Sequence, residues 1–197
     1  MGGKRIGCEY SQLPFEFYKL KKIINSAKQL QKQHEKWVCD TLIRILNLKA
    51  KFERVGNDSN EPDCIYKLNE DLLGIEVATA YPKNEYAKKK WTIARGEREF
   101  PKEGYEWLFS EPIYHLELMR ERIQNEIDDK CSKRYFGVDK TLLCIKEDDP
   151  LSDDGSFRDL LQSIKVPERH CFNAIYLLHY APTNEGGDYK AFKIFGT

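Results

Sequence analysis

The sequence has no apolar stretch long enough to cross a lipid bilayer. Its longest uninterrupted apolar runs, at residues 142–145 and 174–178, fall far short of the roughly 20 residues that a membrane helix needs. The N-terminal Lys4 and Arg5 lead into no apolar segment, so no secretory signal is predicted. We therefore expect a cytoplasmic protein with no membrane partner.

The chain also lacks an excess of charge of either sign. Its 197 residues include 32 Lys and Arg and 32 Asp and Glu, so the formal net charge is zero. A neutral chain is not expected to coat polyanions indiscriminately, although segregated charges could still form a local basic surface. Hydrophobic residues make up 41% and aromatic residues 12% of the chain, which is enough for a packed core and excludes global disorder.

Several catalytic and metal-binding motifs are missing. The six cysteines form no CxxC pair, and we expect reduced, mostly buried thiols. A zinc site formed by His34 with Cys39, or by His170 with Cys171, stays open as an alternative, but neither pair has zinc-finger spacing. The absence of a GxGxxG motif, a P-loop and a nucleophile elbow gives no support to a nucleotide cofactor or a hydrolase triad.

Hydrophobic periodicity predicts one α/β domain over residues 1–197, with residues 1–15 as a loosely ordered N-terminal segment. Apolar spacings of three and four predict helices at about 16–47, 86–94, 113–130 and 156–164. Runs rich in β-branched and aromatic residues predict strands at 49–55, 64–68, 72–81, 141–145, 172–180 and 189–195. Residues from Glu147 onward read as a solvated acidic turn, and Ser156 with Asp159 reads as a capping box. This order predicts a mixed central sheet flanked by helices.

Two carboxylates are predicted to face each other across a hairpin. If residues 69–70 form a two-residue turn, Leu68 pairs with Asp71, and counting outward places Asp63 opposite Glu76. Side chains in such a pair lie about 5 Å apart at Cβ. Two carboxylates at that distance repel unless a cation lies between them, and Mg²⁺ or Mn²⁺ suits such oxygen ligands. The alternative is an unrelated α/β protein in which both residues are structural.

The motif formed by Pro62-Asp63 and, thirteen residues later, Glu76-Val77-Ala78 resembles that of the PD-(D/E)xK nuclease superfamily. Residues 74–81 and 166–176 also resemble a group of uncharacterised bacterial proteins placed there. The resemblance implies a restriction-endonuclease-like core that hydrolyses phosphodiester bonds in DNA, with RNA as the second choice. It implies that Asp63 and Glu76 bind Mg²⁺ or Mn²⁺, with the Val77 carbonyl as a third ligand. Glu35, on the first helix, corresponds to an accessory acidic residue that binds the metal or positions water.

The sequence departs from the superfamily at the motif lysine, whose position holds Ala78. A lysine from a neighbouring helix fills this role in some members, and the candidates here are Lys88, Lys90 and Lys130. Lys83 and Lys133 are further candidates for the same role. If none of them does so, the chain is an inactive member that acts as a nucleic-acid-binding or protein-interaction module. The basic and aromatic residues of segment 81–102 fit either a nucleic-acid surface or an ordinary charged helix. A homodimer or a targeting subunit also stays open.

Overall fold

The described part of the chain contains three helices with defined bounds, six strands and a few further helical residues. The computed structural model describes residues 27–57, 60–81, 88, 91–92, 115–147, 154–183 and 186–196. The helices are α1 (Ala27–Ile45), α2 (His115–Cys131) and α3 (Asp154–Gln162). The strands are β1 (Ala50–Val55), β2 (Cys64–Leu68), β3 (Asp71–Ala80), β4 (Lys140–Glu147), β5 (Ala174–Thr183) and β6 (Gly186–Gly196).

The six strands form one mixed sheet in the order of the sequence, from β1 to β6. Strands β1, β2 and β3 pair antiparallel, β3, β4 and β5 pair parallel, and β6 returns antiparallel to β5. The two parallel connections contain α2 and α3, as parallel pairing requires long crossovers. The predicted α/β class and mixed sheet are therefore confirmed.

Helices cover both faces of this sheet because alternate strand residues point to opposite faces. On one face, α1 packs Val38 and Leu42 against strand residues that include Ile75 and Val77. On the other face, α2 and α3 cover a second apolar cluster, which includes Met119, Ile123, Ile127, Leu143, Ile145, Leu160, Ile175 and Leu177. None of the described helices has the combination of length and apolarity that membrane crossing demands.

The predicted strand bounds lie within about three residues of the observed ones. Two local predictions, however, are wrong. Glu147 does not begin a solvated turn: it ends β4, is fully buried and pairs with His179 on β5. The last predicted helix begins too late, because α3 starts at Asp154 and Ser156 lies within it. Segment 1–15, the beginning of the first predicted helix and most of the predicted helix at 86–94 lie outside the described residues, although residues 88, 91 and 92 are helical.

The sheet has a step on the β2 side of β3. Strand β2 begins at Cys64, which pairs with Ile75, whereas β3 continues five residues farther to Ala80. Beyond Ile75, therefore, β3 pairs with no described strand on this side, and its backbone groups must be satisfied by other means. We call this feature the β3 step, and the predicted acidic residues lie around it.

Candidate metal centre

The hairpin between β2 and β3 has the register that the sequence predicts. Leu68 pairs with Asp71, and the ladder continues to Cys64 opposite Ile75. Asn69 adopts a left-handed backbone with φ of 57°, which asparagine tolerates better than most residues. The next positions outward are Asp63, just before β2, and Glu76 on β3, and both lie at the β3 step.

Asp63 satisfies the backbone of β3 where β2 has ended. Its Oδ2 accepts a hydrogen bond of 2.8 Å from the Val77 N–H. The preceding Pro62 is buried against Gly74, where an added Cβ would lie only 2.4 Å from the proline Cγ. The Pro-Asp pair therefore has a local structural cause: proline packs on glycine, and aspartate replaces a missing strand partner. Among the described residues, Oδ1 of Asp63 makes no hydrogen bond.

Glu76 forms an ion pair with Lys130, whose Nζ lies 2.6 Å from Glu76 Oε1. The glutamate is only 6% exposed, and the lysine side chain is 17% exposed. Positions 76 and 78 share one face of β3, and α2 covers that face, which places Ala78 in the second apolar cluster. Lys130, on α2, thus reaches the Glu76 carboxylate on the face of β3 that Ala78 shares.

Glu35 also lies near the opposed carboxylates, although it comes from the helix on the other face. Its carboxylate accepts a hydrogen bond of 2.8 Å from Gln31 on the preceding turn of α1. Partial burial raises the pKa of Glu35, and the negative charge of Glu76 raises it further. The third predicted acidic residue is therefore within electrostatic reach of the pair.

The charges of the acidic centre are only partly balanced by the described residues. Burial, followed by the charges of Glu76 and Glu35, raises the pKa of Asp63 to about 7, against the opposing effects of the Val77 N–H and Lys130. Burial by itself would lower the pKa of Lys130, but the charge and hydrogen bond of Glu76 outweigh it, and the pKa is raised. One carboxylate is thus neutralised by a lysine, whereas the other favours a proton or another cation.

Tyr135 also lies near this centre, although no motif or spacing in the sequence indicates it. Burial, followed by the nearby charge of Glu76, raises the pKa of its phenol. The hydroxyl is buried and lies close enough to Glu76 for hydrogen bonding with the carboxylate to add to this shift, although the two groups do not meet in ideal hydrogen-bond geometry. The phenol is therefore a further polar group beside Glu76. Only the packing of the segment after α2 brings it to the β3 step.

The other predicted lysines do not reach the centre in the described structure. Lys88 is exposed, and Lys133 forms a surface ion pair with Asp129 on α2. Lys83 and Lys90 lie outside the described residues. Of the candidates that can be placed, Lys130 alone contacts a motif carboxylate.

The residues of the two alternative zinc pairs make other contacts. The His34 ring packs near Trp37, and the Cys39 thiol contacts the Ile75 carbonyl. His170 Nδ1 accepts a hydrogen bond from the Phe172 N–H, and the Cys171 thiol contacts a backbone carbonyl.

The donor set suits a cation that retains much of its water shell. In the described part of the chain, no group of three or more His, Cys, Asp or Glu side chains is placed to hold a metal ion. Asp63 and Glu76 supply two carboxylates, and Mg²⁺ is commonly bound by one or two carboxylates, with water and substrate phosphate completing its shell. The Val77 carbonyl lies on the same side of β3 as its N–H and therefore faces the β3 step. These residues fit a Mg²⁺ or Mn²⁺ site of low protein coordination, not a closed zinc site.

Comparison of the chain with protein-family models, with curated proteins and with solved structures found no match. The chemistry of the centre therefore follows from its own residues.

Proposed function

We propose that this chain is a metal-dependent nuclease domain of the PD-(D/E)xK type, with a restriction-endonuclease-like core, that hydrolyses phosphodiester bonds in DNA. The observation that carries the proposal is the contact of 2.6 Å between Lys130 and Glu76, beside Asp63. It supplies the motif's ammonium from α2, although Ala78 occupies the expected position. The order of helix, three antiparallel strands, helix and parallel strand supports the same assignment. RNA is the second choice of substrate.

In this proposal, Asp63 and Glu76 hold the cation, and the Val77 carbonyl is the third protein ligand. When bound, a divalent cation supplies a Lewis acid for a phosphoryl oxygen and lowers the pKa of water. Lys130 fixes the orientation of Glu76 and places positive charge where the phosphodiester gains negative charge. Tyr135 contributes a hydrogen-bond donor, and Glu35 acts as the accessory acid that orients water.

The second candidate is an inactive member of the same fold that binds nucleic acid or protein. It is favoured by the same ion pair, since Lys130 already neutralises Glu76 and Asp63 already accepts the Val77 N–H. A buried carboxylate with internal partners is stable without a metal. The two candidates differ in one measurable property, which is cleavage.

A cleavage assay separates the two candidates. The purified chain is incubated with labelled duplex DNA, single-stranded DNA and RNA in Mg²⁺, in Mn²⁺ and in EDTA. We expect cleavage that requires the metal and falls by at least about a hundredfold in Asp63→Asn and Glu76→Gln. The matched control is Asp71→Asn, which removes an exposed carboxylate at the other end of the same hairpin. Absence of cleavage of all three substrates by folded wild-type protein in either metal would overturn the nuclease assignment and favour the inactive module.

A further inference from the structure

The segment that follows α2 presents an exposed aromatic ring, Phe136, next in sequence to Tyr135 of the candidate metal centre. Phe136 is 60% exposed, more than Leu116 or Phe195, the other exposed large hydrophobic side chains in the described residues. It directly follows Tyr135, whose phenol is close enough to Glu76 for the carboxylate to raise its pKa. A ring this exposed gives the core little packing energy, because the hydrophobic contribution scales with the area that is buried.

The backbone around Phe136 is held in place by two contacts with residues 60–61. The Phe136 N–H donates a hydrogen bond of 2.8 Å to the carbonyl of Asn60, in the loop that leads into β2. Gly137 follows with φ of +76° and lies against Glu61, whose Oε1 would be 3.0 Å from an added Cβ. Glu61 is itself fixed by Arg54 through two contacts of 2.6 and 2.7 Å. The exposed ring is therefore displayed by a braced backbone, which limits the entropy that a bound ligand must remove.

A positive charge lies on the same short segment. Arg134 is exposed and forms no ion pair with any described residue, whereas the neighbouring Lys133 is paired with Asp129. Arg134 and Phe136 are thus an exposed guanidinium and an exposed ring two positions apart, on the segment whose Tyr135 phenol approaches Glu76. An aromatic face for a base and a cation for the adjoining phosphate are the two elements of single-strand recognition.

We infer that the centre receives its substrate as an unpaired strand, with a base stacked on Phe136 and the neighbouring phosphate held by Arg134. This inference rests on the proposed function, because it assigns the substrate class of the same site. The bases of a duplex already stack on each other, so their faces are closed to a surface ring unless a nucleotide is extruded. A duplex therefore offers no base that can stack on Phe136, whereas a single strand or a frayed end offers one.

The test measures binding without catalysis. The fluorescence anisotropy of a labelled oligothymidylate, and of a blunt duplex of equal length, is titrated with the full chain in EDTA. We expect Phe136→Ala and Phe136→Leu each to weaken oligothymidylate binding by about tenfold, because stacking on one base is lost. Phe136→Trp should retain binding, and the matched control Phe195→Ala, at another exposed phenylalanine, should bind as the wild type does. Duplex binding should be weaker and insensitive to position 136.

Three results would overturn the inference: no oligothymidylate binding by wild-type protein, unchanged binding by Phe136→Ala, or full binding by Phe136→Leu. The last result would identify position 136 as an apolar contact, such as one for a protein partner. Cleavage is scored separately with Mg²⁺ and Mn²⁺. Loss of oligothymidylate binding in Phe136→Ala, in a chain that never cleaves, would support the strand site and reject the nuclease. Metal-dependent cleavage, with oligothymidylate binding unchanged in Phe136→Ala, would support the nuclease and reject the strand site.

Discussion

At the scale of the residue, Asp63 has two tasks that conflict. Its Oδ2 closes the hydrogen-bond ladder of β3, which stabilises the fold. Its negative charge is opposed by burial and by the carboxylates of Glu76 and Glu35, which together raise its pKa to about 7. A carboxylate that the fold holds in place but does not neutralise is suited to binding a cation, and such perturbed groups are common at functional sites.

The raised pKa of Asp63 predicts how the stability of the metal-free chain depends on pH. The folded state holds this proton more tightly than the unfolded chain, whose aspartate pKa is about 3.9. The contribution to the free energy of unfolding is therefore full below about pH 4 and is lost as pH rises through about 7. Asp63→Asn removes this titration, so its stability relative to wild type should increase by on the order of 1–3 kcal/mol between pH 5 and pH 8.

Urea unfolding in EDTA at the two pH values measures that change. Asp71→Asn is the matched control, because it removes an exposed carboxylate from the same hairpin. A stability difference between Asp63→Asn and wild type that is flat, or that shrinks toward pH 8, would contradict the raised pKa.

The ion pair between Glu76 and Lys130 predicts a stability change that depends on both residues. Lys130→Met leaves a carboxylate that is only 6% exposed without its cation, and it should lower the free energy of unfolding by about 3–5 kcal/mol. The double variant Glu76→Gln with Lys130→Met should be more stable than Lys130→Met alone, because the unpaired charge is gone. Lys133→Met, one turn away at the surface, should change stability by less than about 0.5 kcal/mol. If Lys130→Met and Lys133→Met lower the free energy of unfolding equally, the ion pair between Glu76 and Lys130 does not stabilise the fold.

At the scale of the element, the β2–β3 hairpin positions the acidic residues through its turn and its packing. The two-residue turn fixes the register, and a slip by one residue would place Asp63 and Glu76 on opposite faces. The contact of Pro62 with Gly74 then fixes where the chain turns away from the ladder just before Asp63. Glycine is required here for space, since β3 and the proline ring approach too closely for a side chain.

Gly74→Ala should therefore destabilise the hairpin and displace Asp63. The added Cβ would lie 2.4 Å from Pro62 Cγ, and overpacking of this kind costs about 1–3 kcal/mol. Pro62→Ala removes the clashing ring, so the double variant should recover part of the loss. Thermal unfolding of the three variants tests the contact. Two results would contradict this role of the close packing: Gly74→Ala as stable as wild type, or a double variant no more stable than Gly74→Ala.

Local elements were predictable where one pattern determined them. Alternating residues and the Asn69-Glu70 turn predicted the hairpin and its register correctly. Glu147 was misread because several acidic residues after it suggest solvent, whereas its partner His179 lies 32 positions away and buries it in the sheet. Ser156 was misread because its spacing from Asp159 fits a cap, although the helix begins two residues earlier.

At the scale of the whole molecule, the candidate centre joins segments that are far apart in sequence. Asp63 and Glu76 belong to one hairpin, but Lys130 lies 54 positions after Glu76 and approaches it because α2 crosses the face between β3 and β4. From the sequence, Lys130 is only one of several candidate lysines, because the packing of the helices determines which lysine contacts Glu76. Tyr135 and Phe136 carried no periodic or motif signal, so tertiary structure alone identified them.

Neutral net charge also has a different meaning once the chain is folded. The equal totals of 32 basic and 32 acidic residues suggested no strong attraction for polyanions. In the structure, the acidic centre contacts Lys130, and Arg134, which forms no ion pair with any described residue, is exposed four positions farther along the chain. Binding of a strand is therefore expected to depend on local contacts and a cation, not on the overall charge.

Mn²⁺ binding is the most direct measurement of the central claim that Asp63 and Glu76 together hold a divalent cation. The purified chain is titrated with Mn²⁺ at pH 8, and the free ion is followed by its electron paramagnetic resonance signal. A single saturable site is predicted, with affinity at least about tenfold lower in Asp63→Asn and Glu76→Gln and unchanged in Asp71→Asn. Folded wild-type protein that shows no saturable site, or Asp63→Asn that binds Mn²⁺ as tightly as wild type, would contradict the claim.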